Sequence, residues 1–279
     1  MPSTAKPLPP TKVPDVTLAF WLIKIAATTL GETAGDALSM TMQLGYAVST
    51  AIFFAFFAST VAVQIRAKAF HPMLYWLVIV ATTTVGTTMA DYADRSLGIG
   101  YVGGSLVLFT ILMVVLAAWR WSTGSVSVRN IATPKAEWFY WLTILFSNTL
   151  GTALGDFLAD TSGLGYEGGA LVFAAALGLV ALAYFYSQVS HTLLFWAAFI
   201  LTRPLGATLG DLLTKPHANG GLDLSRISSS LVIAAAMAIG ILLVWLGSRE
   251  RAGAPARSTP LGSRQGPQRN QVRQRAKDA

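Results

Sequence analysis

The chain has 279 residues, of which 53% are hydrophobic and only 12% charged, and its mean hydropathy is +0.55. Soluble globular proteins carry about 25% charged residues, so this composition excludes the soluble class and indicates a membrane protein. The formal net charge of +7 does not indicate a nucleic-acid partner, because the excess positive charge lies in the tail after Trp245 and not on a folded domain.

Eight apolar segments follow a proline-rich leader. The leader, residues 1–15, lacks the cleavage site of a signal peptide, and we expect it to form a short disordered lead. Each apolar segment is near the roughly 20 residues that a spanning helix needs, and together they form a transmembrane domain over 16–247. The basic tail, 248–279, is expected to be disordered and to attract anionic lipid headgroups, or to serve only as a topological anchor. The segments cover residues 16–41, 46–65, 73–94, 99–120, 137–160, 166–187, 192–214 and 227–247.

One pattern occurs four times, always in the first segment of a pair. A tryptophan is followed ten residues later by a glycine, four residues after that by a second small residue, and then by an aspartate. The second segments repeat too, since Leu44-Gly45-Tyr46 matches Leu164-Gly165-Tyr166. We therefore predict four two-helix repeats, at about 16–70, 71–135, 136–190 and 191–247. The four motifs are Trp21 to Asp36, Trp76 to Asp91, Trp141 to Asp156 and Trp196 to Asp211.

The repeats predict a topology. Because each repeat crosses the membrane twice, all four should have the same orientation, which makes them parallel repeats and not inverted ones. Basic residues concentrate in the loops on one side, for example Lys68, Arg129 and Lys135, and in the tail. The positive-inside rule then places both termini in the cytoplasm, and we expect a multi-pass protein of the bacterial inner membrane. The motif helices run outward, with their aspartates in the outer half of the bilayer or, alternatively, near enough to the surface to be wet.

Each motif carries two small residues four positions apart, a spacing that lets another helix backbone approach closely. Taken alone, this packing signal identifies no substrate. Four copies in register predict that the motif helices form a pseudo-fourfold core, with the second helices in an outer ring that faces lipid. The predicted fold is an all-α polytopic membrane bundle of eight transmembrane helices. The predicted packing pairs are Gly31/Gly35, Gly86/Ala90, Gly151/Gly155 and Gly206/Gly210.

Carboxylates are costly inside a membrane, and they usually mark an ion or proton path there. In two of the repeats a pair of acids is spaced four residues apart and therefore lies on one helix face. Hard divalent cations favour carboxylate oxygens, so these two pairs, Glu32/Asp36 and Asp156/Asp160, are predicted as metal ligands. No cofactor is expected apart from a transported divalent cation. The predicted path-lining acids are Glu32, Asp36, Asp91, Asp156, Asp160 and Asp211.

Hydroxyl and basic residues accompany these acids. Thr29, Thr84 and Thr149 share one repeat position and are candidates for the binding path, but each could instead bond the preceding turn of its own helix. Lys24 is expected to extend to the cytoplasmic surface. Three basic residues are predicted counter-ions or gating groups, and the third, deep in its helix, should pair with a carboxylate of a neighbouring helix. They are Arg95, Lys215 and Arg203.

The motif, Gly-x-Thr-x-Gly-Asp in copies one and four, resembles that of a family of bacterial multi-pass membrane proteins built from four Gly-Asp-containing repeats. The resemblance covers nearly all of 16–247 and implies the fold but no activity. A weaker likeness is to cation exporters whose repeated helices carry a Glu-x-Gly-Asp motif. Here Glu32 and Asp36 have one extra residue between them, and the glutamate is present in one copy only.

The leading hypothesis is an integral membrane transporter of a divalent cation, with a carboxylate-lined path at the centre of the four repeated helices. Two alternatives stay open: a proton-coupled carrier of a small organic solute, and a non-transporting scaffold whose acids only pair with Arg95, Arg203 and Lys215. An enzyme is not expected, because the chain has no cysteine and shows no phosphate-binding loop or Ser/His/Asp arrangement. The expected partners are membrane lipid and a small ion or solute, without nucleic acid. No oligomeric state follows from the sequence.

Overall fold

The computed structural model describes residues 12–128, 131 and 133–253, and in these residues the protein contains helices and no strand. The predicted all-α class is thereby confirmed. The disorder predicted for the leader and the tail falls mostly on residues outside the described ranges, although the last helix continues past its predicted end at 247. The eight α-helices are α1 (Leu18–Asp36), α2 (Gly45–Arg66), α3 (Pro72–Asp91), α4 (Tyr101–Thr123), α5 (Pro134–Asp156), α6 (Gly165–Tyr186), α7 (His191–Thr214) and α8 (Arg226–Gly253).

Seven of these helices, α2 to α8, are long and apolar enough to cross a membrane. Their length and composition indicate a multi-pass membrane protein. The remaining helix, α1, has 19 residues and carries Lys24, Glu32 and Asp36, all of them buried within the protein. The predicted number of eight helices is therefore confirmed in the described residues, and seven of them have the length and composition of a span. That all eight cross the membrane stays a prediction.

Local sequence explains where the motif helices begin and end. The side chains of Thr17 and Thr133 cap α1 and α5 by accepting a hydrogen bond from a backbone N–H of the first turn. Pro72 and Pro134 begin α3 and α5, where the missing N–H has no intrahelical partner to lose. Directly after the motif aspartate, three of the helices pass into a five-residue π-helical turn. These turns are Ala37–Thr41, Tyr92–Ser96 and Phe157–Thr161.

The turns that follow use a repeated backbone conformation. Two residues with positive φ, separated by one residue, reverse the chain before α2, α4 and α6, and this conformation favours glycine. The repeated Gly-Tyr pattern is therefore a turn signal, and it places a tyrosine in the first turn of each of these helices. The positive-φ pairs are Gln43 and Gly45, Gly98 and Gly100, and Gly163 and Gly165.

The four motif helices contact one another in a closed ring: α1 and α5 each pack against both α3 and α7. The second helices lie outside this ring, with α2 on α3, α4 on α5 and α6 on α7, while α8 reaches α1 through a 2.8 Å hydrogen bond from Ser230 Oγ to Thr33 Oγ1. Burial follows this division, since 61–72% of the spanning windows of α3, α5 and α7 is buried but only 11–28% of those of the outer helices. The ring is thus the part of the bundle that can hold polar groups away from lipid.

An aromatic layer closes one end of the ring. The residue before each motif tryptophan contacts the tryptophan of the next repeat, and the last repeat contacts the first. All these contacts lie within a compact unit that ends at Trp245; from Leu246 the described chain is the end of α8. Because the aspartates stand at the other ends of the motif helices, the polar site lies away from this layer. The ring centroids are separated by 5.5 Å for Phe20–Trp76, 5.7 Å for Tyr75–Trp141, 6.3 Å for Tyr140–Trp196 and 5.6 Å for Phe195–Trp21.

Candidate functional site

The small-residue pairs of the motif lie directly against the next helix of the ring. A Cβ added to the first glycine of any pair would meet the residue three positions before the corresponding glycine of the next repeat. The second small residue is packed in the same way in three copies, and the fourth, Ala90, is 1% exposed. This close packing brings the ends of the four helices, and the acids on them, together. The contacts are Gly31 on Thr83, Gly86 on Asn148, Gly151 on Arg203, Gly206 on Thr28, Gly35 on Thr87, Gly155 on Ala207 and Gly210 on Glu32.

Hydroxyl bonds between helices use a repeat position one residue before the predicted one. Thr28 Oγ1 lies 3.1 Å from the Thr202 carbonyl and Thr83 Oγ1 lies 3.1 Å from the Ala27 carbonyl, and each hydroxyl also lies 2.8 Å from a carbonyl of its own helix. The predicted threonines instead donate to the carbonyl four residues earlier in their own helices, so their hydroxyls are satisfied without a ligand. Thr29 lines an apolar lateral groove between α1, α7 and α8. These self-bonded residues are Thr29, Thr84 and Thr149, at 3.0 Å each.

The first polar group is the Lys215 cluster, made of Glu32, Asp36, Arg203, Asp211, Lys215 and Arg226. Lys215 Nζ lies 2.8 Å from Asp36 Oδ2 and 3.0 Å from Asp211 Oδ1. Arg226 Nε approaches the same Asp36 oxygen at 3.5 Å. Since Lys215 follows the last residue of α7 and has an extended backbone, its side chain bridges the carboxylates of α7 and α1.

Arg203 forms the deep part of this cluster and has no exposed surface. Its Nη2 lies 3.0 Å from Glu32 Oε2 and also donates to Thr152 Oγ1 and Thr87 Oγ1. The predicted pairing of this arginine with a carboxylate of a neighbouring helix is therefore present. Its Nε and Nη1 are buried and have no hydrogen-bond partner among the described residues. Four helices, α1, α3, α5 and α7, thus meet around one guanidinium.

The second polar group is the Arg95 cluster, made of Asp91, Arg95, Asp156 and Asp160. The Arg95 guanidinium lies 3.2 Å from Asp91 Oδ1, 3.1 Å from Asp156 Oδ2 and 3.8 Å from Asp160 Oδ2. Asp91 and Asp156 are buried, but the Asp160 side chain is 35% exposed. The single Arg95 guanidinium therefore contacts three carboxylates: Asp91 at the end of α3, Asp156 at the end of α5 and Asp160 in the turn that follows α5.

The carboxylates that converge are not the set predicted to bind metal. Glu32, Asp36 and Asp211 each offer an oxygen, and these three atoms lie within 4.8 Å of one another. The predicted set joined Glu32 and Asp36 to Asp156 and Asp160, which instead lie against Arg95. Spacing along one helix fixes a face but not the neighbouring helix, and the ring places Asp36 beside α7. Three carboxylates are a suitable oxygen donor set for a hard cation.

Each second helix adds a polar residue to this end of the ring, which the sequence prediction missed. Tyr46 OH accepts a hydrogen bond from Arg95 at 3.3 Å, and Arg226 begins α8 and reaches Asp36. Tyr101 and Tyr166 both donate to Asp160, at 3.1 and 3.2 Å. The repeated Gly-Tyr pattern at the start of these helices was the available signal.

A cleft of about 610 Å³ leads from the surface to both clusters. Its walls include Arg95, Asp160, Tyr166, Lys215 and Arg226, so every basic side chain of the two clusters except that of Arg203 borders it. The acids Asp36, Asp91, Asp156 and Asp211 are each 1–2% exposed and lie behind those basic residues. A solute that enters the cleft therefore meets the cations first and reaches the buried carboxylates only if they move.

Lys24 does not reach the surface, so the expectation that it does is wrong. It has no exposed surface; its ammonium lies 3.5 Å from Asn148 Oδ1 and 4.2 Å from the ring centre of Phe199. The closed ring surrounds the side chain, and Asn148 in turn donates to Thr82 Oγ1 at 2.8 Å. Lys24 is thus part of the polar interior below Arg203 and not a membrane-surface anchor.

Comparison with known proteins finds one family. Neither a curated protein nor a solved structure matches this chain. A family model described as a Repeat of Unknown Function (DUF347) matches four times, at residues 19–70, 74–125, 139–190 and 194–250. Each match begins near a motif tryptophan and covers one helix pair, and together they span well over half of the protein. The chain therefore belongs to the DUF347 repeat family.

Proposed function

We propose that this protein is an integral membrane transporter of a divalent cation, and that the cation passes the carboxylate end of the four-helix ring. One observation carries the proposal: all four repeats contribute acids to a single region that borders a cleft. The two clusters contain six carboxylates and four basic residues. The Lys215 cluster balances three acids with three basic residues, and the excess of two negative charges lies in the Arg95 cluster, which borders the same cleft. Buried acids are costly in a membrane protein, and an ion path is the usual reason that they are kept.

The repeat contacts support the predicted arrangement of four parallel repeats around a pseudo-fourfold core. The aromatic layer and the glycine pairs join the same neighbours in the same order along the helices, and the two carboxylate clusters bridge repeats two and three and repeats four and one. With the basic loops on the cytoplasmic side, we place both termini in the cytoplasm of a bacterial inner membrane. The cleft and the acids then open toward the outer face.

Flux through reconstituted protein tests the proposal. Purified protein in liposomes that contain a metal-sensitive dye should admit Mn²⁺ or Ca²⁺, and Asp36→Asn or Asp211→Asn should abolish the signal, because each removes a buried carboxylate of the path. The matched control is Asp223→Asn, which neutralises an exposed acid in the loop before α8 and keeps a residue that tolerates its positive φ of 54°. Equal flux in all three variants, or none in the wild type, would reject the proposal.

A non-transporting scaffold is the second candidate, and one observation favours it. Every one of the six acids lies within 4.0 Å of a basic group, so the clusters could exist only to tie the helices together. A scaffold predicts that removing an acid and its partner together, as in Glu32→Gln with Arg203→Met, restores stability while no solute crosses at any stage. Flux through the wild-type protein in the same liposomes distinguishes the two candidates, because only a transporter admits metal.

A further inference from the structure

We infer that the three carboxylates of the Lys215 cluster form the binding site for the transported divalent cation, and that Lys215 and Arg226 occupy this site as tethered cations when the cargo is absent. This inference rests on the proposed function and adds to it a location, a ligand set and an exchange mechanism. The cargo binds when the two basic side chains withdraw into the cleft, and they return when it leaves.

The geometry of the acids provides the first step. One oxygen from each of Glu32, Asp36 and Asp211 falls within 4.8 Å of the others, close enough for a single ion to contact all three. In addition, Asp36 is 1% exposed, and its Oδ1 has no hydrogen-bond partner among the described residues. A buried acceptor without a partner is costly, and a cation bound to these acids would remove that cost.

The charges of the Lys215 cluster match an exchange of its basic side chains for one divalent cation. The three carboxylates carry three negative charges, and the Arg203 guanidinium beside Glu32 cancels one of them. Two negative charges remain, and in this structure the ammonium of Lys215 and the guanidinium of Arg226 neutralise them. One divalent cation carries the same charge as these two groups. Their exchange for the cargo therefore leaves the net charge of a buried site unchanged, which avoids a large desolvation penalty.

The three basic residues of the Lys215 cluster differ in their freedom to move. Arg203 has no exposed surface and is held by Thr87 and Thr152 as well as by Glu32. Lys215 and Arg226 both line the cleft, and their side chains are 8% and 20% exposed. Lys215 also lies just outside α7 on a flexible four-carbon side chain. The two cations that must leave are therefore the two that border open space.

The Arg95 cluster does not offer an equivalent site. Its third acid, Asp160, is 35% exposed and already accepts hydrogen bonds from Tyr101 and Tyr166. Among the described residues, only Glu32, Asp36 and Asp211 bring three potential ligand oxygens this close together. The inference therefore assigns Asp160 no role as a cargo ligand, although the sequence pattern predicted one.

Calorimetric titration of the purified full-length protein in detergent with Mn²⁺, Mg²⁺ or Ca²⁺ tests the inference. Lys215→Met should tighten binding at least about tenfold, because it removes a unit charge that competes for the same oxygens. Lys215→Arg keeps that charge and should stay within about threefold of the wild type by the same Coulomb argument. Asp211→Asn should weaken binding at least about tenfold, and the matched acid control, Asp160→Asn, should have no effect.

Arg226→Gln provides an independent arm because this residue lies at the surface end of α8, and it should also tighten binding. Thermal unfolding of each variant shows whether the protein compared is folded. The inference is overturned if folded Lys215→Met and Arg226→Gln both bind no more tightly than the wild type, or if Asp211→Asn binds as well as the wild type. Binding and flux measured together separate the two claims. If the protein carries metal but Lys215→Met does not change metal binding, only this site is rejected. If metal binding changes as inferred but no metal crosses the membrane, only the transporter is rejected.

Discussion

The two polar clusters are built on the same repeat position, yet they differ in depth. Arg95 and Lys215 each lie four residues after a motif aspartate, in repeats two and four. Each binds the aspartate of its own repeat and the motif aspartate of the repeat that follows in the ring, Asp156 in one case and Asp36 in the other. The third carboxylate distinguishes them: Asp160 lies at the surface of one cluster, whereas Glu32 lies in the interior of the other, beside Arg203.

This difference distinguishes one interface of the ring from the others. The bridge between neighbouring repeats is the same in both clusters, since one basic side chain pairs with two motif aspartates. Only the contact between the last and the first repeats adds Glu32 and Arg203, at positions that carry uncharged residues in the other copies. The ring of repeated helices therefore provides the framework, and Glu32 and Arg203 add a buried ion pair to one of its interfaces.

The largest effect on stability is expected from breaking the interior pair. Arg203→Met leaves Glu32 buried without a cation, which should lower the free energy of unfolding by about 3–5 kcal/mol. Adding Glu32→Gln should recover most of this loss, because no uncompensated charge then remains. Denaturant unfolding in detergent measures both variants, and a double variant no more stable than Arg203→Met would contradict the pairing.

The same two interfaces also differ in how closely their helices pack at the motif glycines. A Cβ at Gly206 would overlap Thr28, so Gly206→Ala should cost about 3 kcal/mol. A Cβ at Gly86, in the other interface, would lie 3.1 Å from the Thr149 nitrogen, and Gly86→Ala should cost about 1 kcal/mol. Gly178→Ala on α6 is the control, since a Cβ there meets nothing within 4 Å. The same unfolding assay applies, and equal losses at both interfaces would contradict the difference in packing.

Removing the bridging cations compares the clusters directly. Arg95→Met deprives Asp91 and Asp156 of their cation and should cost about 2 kcal/mol. Lys215→Met should cost about half as much, because Asp36 retains Arg226 at 3.5 Å. Thermal unfolding of the two variants, side by side, measures the difference. A larger loss for Lys215→Met would mean that Arg226 does not compensate.

The smallest effect concerns the surface acid. Tyr101→Phe removes the 3.1 Å hydrogen bond to Asp160 Oδ2, and the expected loss of stability is at most about 1 kcal/mol because Asp160 is partly exposed. Tyr184→Phe, on an exposed residue of α6, is the matched control and should be neutral. If Tyr101→Phe lowers the free energy of unfolding as much as Arg203→Met does, the proposed difference in depth between the clusters is contradicted.

The helices could be predicted from the sequence, and so could most of the charged residues that belong to the clusters, because hydrophobic segments and repeated motifs are local signals. The pairing of Arg203 with a neighbouring acid also followed, since an arginine inside a membrane bundle needs a carboxylate. The grouping of the acids did not follow. Asp156 and Asp160 share a helix face, but which helix that face meets depends on the order of the ring, and no spacing along one helix contains that information.

The directions of two kinds of side chain could not be predicted from the sequence. Lys24 was expected to extend to the surface, but α1 lies between α3 and α7, and the ring encloses the side chain. For Thr29, Thr84 and Thr149 the sequence left two possibilities open, and each hydroxyl bonds the preceding turn of its own helix. Only the packing of neighbouring helices defines the direction in which such a residue points.

The closure of the ring through its first and last repeats has a consequence for biogenesis. Glu32 and Asp36 find their partners Arg203 and Lys215 only 171 and 179 residues further along the chain. A charged residue at the middle of a nascent helix costs about 2.5–3.5 kcal/mol when it enters lipid alone, and α1 carries three. We therefore expect α1 to wait beside the insertion channel while the middle repeats are synthesised, and to settle in the bilayer only when α7 emerges from the ribosome.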